Sequence, residues 1–189
     1  MKTQIKSLLS IAVAVSLGLG FTSCKKDEPE PKPEPTPTPT EVEYSFINSI
    51  GFNTDFVDYC DIKIDLTDID GKKTTTNLKD CPIEDVLHAG EKIKCYVFTN
   101  SVITKEKGKE TTMEVTYTPK DFPEDVNINI LFSPGFVVGS KGDVQALAAG
   151  VYFGGVKQQG FEKCVETFKK SFSKFVMKVD KNGKATLDY

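Results

Sequence analysis

"TTMEVTYT" (Thr111–Thr118) and "DVNINILF" (Asp125–Phe132) decide the fold. In the first, Met113, Val115 and Tyr117 alternate with Thr112, Glu114 and Thr116; in the second, Val126, Ile128, Ile130 and Phe132 share one face. Side chains of an extended chain point to opposite sides with a period of two, so each segment reads as a strand with one apolar and one polar face. An antiparallel sheet accommodates that pattern, with one face in the core and the other in water.

The same alternation recurs at Tyr44–Ile50, Cys60–Leu66 and Ile93–Thr99, separated by turn signals at Asp70-Gly71, Lys107-Gly108 and Asn182-Gly183. Short strands and turns at this spacing predict an all-β domain over residues 41–189, a Greek-key, immunoglobulin-like β-sandwich. Register in the first hairpin follows from pairing. A three-residue loop of Ile69, Asp70 and Gly71, with Gly71 left-handed, sets Ile62 against Leu78 and Leu66 against Thr74. A two-residue Asp70-Gly71 loop would instead set Ile62 against Lys79, placing a lysine among apolar neighbours, so the longer loop is preferred.

"FEKCVETFKKSFSKF" (Phe161–Phe175) departs from the strand pattern. Phe161, Cys164, Val165, Phe168, Phe172 and Phe175 fall at helical spacing with lysines and glutamates opposite, which predicts one amphipathic helix near the C-terminus, covering an end or face of the sandwich. "FVMKVDKNGKATLDY" then reads as a closing hairpin. Gly142–Gly160 fits either a bent strand or a loop, and the chain has no internal repeat.

The N-terminal segment has a different logic. Lys2 and Lys6 precede an apolar run from Leu8 to Phe21, interrupted by serine and glycine. Its 14 residues fall short of the roughly 20 that a spanning helix needs, and Ser23 supplies a small residue before Cys24. From Pro29 to Pro39 every second residue is proline, which removes backbone donors and fixes φ. Residues Pro29 to Thr40 therefore make a semi-rigid spacer of roughly 37 Å at about 3.1 Å per residue.

"FTSC" at Phe21–Cys24 resembles the lipobox of bacterial lipoproteins, with Phe21 where leucine is usual, and "KKDE" at Lys25–Glu28 resembles the export tag of Bacteroidota-type surface lipoproteins. The resemblance covers residues 1–28 and leaves the folded domain unassigned. It implies a signal peptide over residues 1–23, cleavage between Ser23 and Cys24, acylation of Cys24 with palmitate-type chains, and export directed by Lys26, Asp27 and Glu28. A lipid-anchored outer-membrane protein facing the cell exterior is the expectation, with residues 24–40 as its anchor, tag and spacer. Each buried methylene contributes about 0.8 kcal/mol, and several chains together give lasting attachment.

Composition narrows the function. The net charge is −3, and loss of Lys2 and Lys6 with the signal segment takes it to −5, so no basic field attracts nucleic acid. The chain contains no tryptophan and no arginine, which leaves Tyr, Phe, Lys and Asp to form any recognition surface.

Candidate chemistry is sparse. His88 is the single histidine, in "LHAGEK", which reads as a loop leading into the strand at Ile93. "SFSK" at Ser171–Lys174 matches the S-x-x-K of penicillin-recognising enzymes, but neither S-D-N nor K-T-G accompanies it. "GFVVGSK" at Gly135–Lys141 has the wrong spacing and order for a phosphate loop. Asp65, Asp68 and Asp70 beside Gly71 are a candidate calcium cluster, although turn chemistry explains the same residues. No cofactor or other metal is implied.

With Cys24 assigned to the anchor, Cys60, Cys81, Cys95 and Cys164 remain, an even number in an oxidising compartment. The preferred register puts Cys60 opposite Asp80 and Cys81 opposite Tyr59, which argues against a bridge between them. Cys60 lies with Ile62 and Ile64, Cys95 with Ile93 and Val97, and both read as core-facing. That favours Cys60 with Cys95 and Cys81 with Cys164, and four buried free thiols fit the same count.

Taken together, these features predict a non-enzymatic binding or adhesion module whose partner is a glycan or an envelope protein. An accessory structural subunit of an outer-membrane complex and a carboxylate-dependent hydrolase are the alternatives.

Overall fold

A computed structural model describes residues 41–148, 151–153 and 160–189. The expected signal peptide, Ser23, Cys24, the Lys26-Asp27-Glu28 tag and the spacer lie outside the described residues. Within the unit Thr40–Tyr189 the elements in order are β1 (Tyr44–Asn53), α1 (Thr54–Tyr59), β2 (Cys60–Thr67), β3 (Lys73–Asn77), a single 3₁₀ turn (Leu78–Asp80), β4 (Ile83–His88), β5 (Glu91–Thr104), β6 (Glu110–Pro119), β7 (Ile130–Ser140), β8 (Asp143–Ala148), β9 (Val151–Phe153), α2 (Phe161–Ser171), β10 (Lys174–Val179) and β11 (Ala185–Asp188). Two antiparallel sheets result. Sheet A runs β4-β5-β1-β7-β8, with β9 also on β7, and sheet B runs β11-β10-β6-β2-β3. The all-β sandwich and its amphipathic helix are as the periodicity predicts.

Alternation fills the space between the sheets. Sheet A contributes Phe46, Ile50, Phe52, Phe132, Phe136 and Val138; sheet B contributes Ile62, Ile64, Leu66, Met113, Val115, Tyr117, Phe175 and Met177, all buried. Phe136 stacks on Phe175 across the gap at 4.1 Å between ring centroids and 13° between planes. Further along, Phe52 is a hub, with Phe132 at 4.8 Å, Phe168 of α2 at 5.1 Å and Phe56 of α1 at 5.2 Å. Such ring pairs contribute about 0.5–1.5 kcal/mol each beyond their burial.

The first hairpin adopts the three-residue loop. Leu66 faces Thr74, Asp68 N donates to Lys72 O at 3.0 Å, and Gly71 has φ +78°. The second hairpin of sheet B repeats the device: Asp180 N donates to Lys184 O at 2.9 Å around Gly183, with φ +91°. In both, one aspartate oxygen accepts two backbone N–H groups. Asp68 Oδ1 takes Asp70 N and Lys72 N, both at 2.9 Å; Asp180 Oδ1 takes Asn182 N at 2.8 Å and Lys184 N at 2.9 Å. "DIDGK" and "DKNGK" are thus one turn used twice.

Four expectations are corrected. The strand read from Val126 begins only at Ile130, because β1, its partner in sheet A, ends at Asn53 and offers residues 126–129 no continuation to pair with among the described residues. Asn53 closes that boundary: its Nδ2 donates to Asn129 O and its Oδ1 accepts from Leu131 N, both at 2.9 Å. The helix stops at Ser171 instead of running to Phe175, since Phe175 is already paired with Met113 in sheet B. Ile62 has no strand partner at Leu78, where the chain leaves β3 in the 3₁₀ turn. "LHAGEK" is a tight hairpin turn and not a loop, since His88 ends β4 opposite Glu91. The stretch from Gly142 supplies β8 and β9 within its described part.

Candidate functional site

Strand directions give the sandwich two poles. Tyr44 at the start of β1 lies opposite Thr104, and Ser45 opposite Gly139; a Cβ on Gly183 would sit 2.5 Å from the Tyr44 hydroxyl. Glu41 and Lys105 pair at this same pole. The far pole is reached by following β1 to Asn53, from which the six residues of α1 lead directly to Cys60, paired in turn with Pro119 at the end of β6. Glu41 therefore lies at one pole of the sandwich, and the connection after Pro119 lies at the other.

That far pole carries the candidate site, a groove of about 730 Å³. One wall is the connection that follows β6, with Phe122, Pro123 and Val126; the other is the start of α2, from Gly160 to Glu162. Its floor is aromatic. Phe122 stacks on Phe161 at 4.5 Å with planes 8° apart, and Tyr59 meets the Phe122 ring edge-on at 4.9 Å. Phe161 is fixed from below by Phe56, 6.0 Å away, so the floor is continuous with the core. The α2 register that buries Cys164, Val165 and Phe168 also delivers Phe161 to this position. At the other end of the helix, Tyr117 Oη donates to Phe172 O at 2.9 Å and holds it against β6.

Charge at the groove is one-sided. Asp121 and Glu124 stand on the loop wall and Glu162 on the helix wall; all are exposed, and none forms an ion pair with a described residue. Among the described residues Lys120 is the one cation lining the groove, and its Nζ is engaged by Asp61 at 2.5 Å. A second hollow, of about 440 Å³ on the outer face of sheet B, contrasts with this. Its lining includes Asp61, Lys63, Asn77 and Lys79, and three of its charged groups are each neutralised by a neighbour: Lys79 by Asp58 at 3.0 Å, Lys63 by Asp65 at 2.9 Å and Asp61 by Lys120 at 2.5 Å.

The calcium candidates are committed elsewhere. Asp65 accepts from Thr75 Oγ1 at 2.5 Å and pairs with Lys63; Asp68 holds its turn; Asp70 pairs with Lys109 at 3.3 Å. Among the described residues no three His, Cys, Asp or Glu side chains are grouped to hold a metal ion. Hydrogen bonds from Thr75 and Lys63 hold the Asp65 carboxyl below the usual carboxylate range, the mark of a satisfied acid and not of a proton-transferring one.

The proposed disulfides are not formed: Cys60, Cys81, Cys95 and Cys164 are free thiols. The error lies in the face assigned to Cys95. Tyr96 and Phe98 of β5 pack against the core, facing Phe52 and Ile50, so Cys95, one residue out of phase, lies on the outward face of sheet A opposite Asn53. The sheet itself separates it from core-facing Cys60. Cys81 follows the 3₁₀ turn, which lies against β2 and β5, while Cys164 lies in α2, which packs on β6. Desolvation pushes the Cys60 thiol up to about 12 and the Cys95 thiol to about 11, and raises Cys81 and Cys164 as well, so none is poised as a nucleophile. Ser171 ends α2 and Lys174 opens β10, so "SFSK" spans a helix end and not one helical face.

Sequence reasoning missed Phe122 and the carboxylates around it. The signal was present in "YTPKDFPED", where Pro119 and Pro123 bracket an aromatic residue within an acidic run that cannot continue a strand. No family model, curated protein or solved structure matches the chain.

Proposed function

We propose that this chain is a lipid-anchored outer-membrane protein, cleaved behind Ser23, acylated on Cys24 and exported by Lys26, Asp27 and Glu28, that presents its sandwich as a non-enzymatic binding module. One observation supports the reading beyond the N-terminal motifs: Glu41 and the start of β1 lie at one pole of the sandwich and the groove opens at the other. A domain tethered from the pole of Glu41 holds such a groove away from its point of attachment, where binding to a partner outside the cell requires it. The groove's apolar floor, flanked by charged side chains on its walls, also matches the make-up of ligand sites, in which polar groups orient what the apolar surface holds. Among the titratable groups, Asp65 and Asp180 have lowered pKa values with hydrogen bonds as the cause, whereas a general acid needs a raised one.

Fractionation tests the anchor. Cys24→Ala releases the protein from the membrane fraction, and replacing Lys26, Asp27 and Glu28 by alanine leaves it membrane-bound but protected from protease added to intact cells. A Cys24→Ala protein that stays attached refutes the lipoprotein reading; digestion of the tag variant on intact cells refutes the surface address.

A further inference from the structure

We infer that the far-pole groove takes a lysine-bearing extended segment of a partner protein, an inference that rests on the binding-module reading. The floor and the walls ask for different parts of one ligand. Half-buried Phe122, stacked on the buried Phe161 ring, offers an apolar surface on which methylene stems lie, and a lysine presents four methylenes before its charge. Its ammonium then reaches carboxylates on either wall, Asp121 and Glu124 on one side and Glu162 on the other.

Charge complementarity selects this occupant over others. Lys120, the sole lining cation among the described residues, is already neutralised by Asp61, so the three wall carboxylates have no counter-charge among those residues. An anionic lipid or nucleic acid is repelled. A neutral sugar would cover the rings but displace water from the carboxylates without compensation. A cationic segment supplies that compensation, and cations over aromatic faces add a favourable quadrupole term. A groove of about 730 Å³ has room for several residues of an extended chain.

Titration of the detergent-solubilised full chain with fluorescent acetyl-Lys-Leu-Lys-Leu-Lys-amide decides the matter. Saturable binding is expected, weakening about tenfold between roughly 50 and 500 mM NaCl as screening sets in. The combined variant Asp121→Asn, Glu124→Gln, Glu162→Gln should lose about tenfold in affinity with an unchanged melting temperature, because all three side chains are exposed. Phe122→Ala should weaken binding in the same direction. Equal binding of the glutamate counterpart peptide, an unaffected carboxamide variant, or binding of a neutral trisaccharide in place of the lysine peptide would each overturn the inference, as would no binding at all. Because the titration uses purified protein, its failure is separable from failure of the anchoring experiments, which report only on location.

Discussion

Asn48 of β1 and Asn100 of β5 stand directly opposite each other on the inward face of sheet A, and the Asn48 Nδ2 donor and Asn100 Oδ1 acceptor are both buried without a hydrogen-bond partner. An unsatisfied buried group costs about 1–3 kcal/mol. What the pair provides is register. A slip of two residues would set Asn48 against Phe98 or Val102, leaving each amide among apolar side chains only. The double variant Asn48→Leu, Asn100→Val should therefore raise the urea midpoint, by about 1–3 kcal/mol in unfolding free energy. A lower midpoint would mean that the two amides are bonded to each other or through water in solution.

The repeated aspartate turn predicts a pH signature. Backbone N–H groups of Lys184 and Asn182 hold the Asp180 carboxyl below its ordinary value. A folded pKa depressed below the unfolded one stabilises above the unfolded carboxylate range, and that stabilisation is lost as pH falls through the folded pKa. Asp180→Ala should lower the melting temperature at neutral pH and converge with the parent as pH falls through the depressed folded-state range of the Asp180 carboxyl. Asp180→Asn should retain most of the neutral-pH stability, because its amide oxygen can accept the same two bonds, and should lose the Asp180 share of the pH dependence, leaving that of Asp65.

Gly139 admits no side chain. Its φ of +138° belongs to glycine, and a Cβ there would lie 2.0 Å from Asp143 O in the β7–β8 hairpin. Gly139→Ala should destabilise by at least about 2 kcal/mol, combining backbone strain with forced displacement of Asp143. Asp143 Oδ2 also accepts from Ala185 N at 3.2 Å, joining sheet A to sheet B. Hydrogen exchange of the Ala185 amide should therefore quicken in this variant.

Thiol reactivity separates the four cysteines by depth. At about 12, Cys60 has roughly a thousandfold less thiolate at pH 8 than a thiol at its ordinary value. Iodoacetamide on the native protein should label half-buried Cys81 first, leave Cys60, Cys95 and Cys164 slow, and modify all four after denaturation. A disulfide-linked peptide in protein purified from its own compartment would contradict the free-thiol state.

What could be read in advance followed from local pattern. Met113, Val115 and Tyr117 face the core because alternation needs only nearest neighbours, and the Ile69-Asp70-Gly71 loop followed from pairing and glycine chemistry. Cys95 was misassigned because either face of β5 offers apolar residues, Ile93 and Val97 on one and Tyr96 and Phe98 on the other, and only the position of sheet B chooses between them. Val126 and Ile128 alternate as a strand would, but a strand needs a partner and β1 ends too soon. The groove was hidden for a related reason. Phe122 and Phe161 are 39 positions apart in the chain, and their stacking depends on α2 crossing that pole.

β1 is flanked by β5 along its whole length and by β7 from Ser45 to Phe52, and it runs between the two poles. A pull applied between Tyr44, at the start of β1, and a ligand held in the groove acts along this central strand. Its backbone hydrogen bonds to both neighbours are then loaded in shear and yield together, instead of opening one at a time as they would if peeled from an edge. The topology thus favours a fold that resists tension in the direction in which a tethered binding module would be stretched.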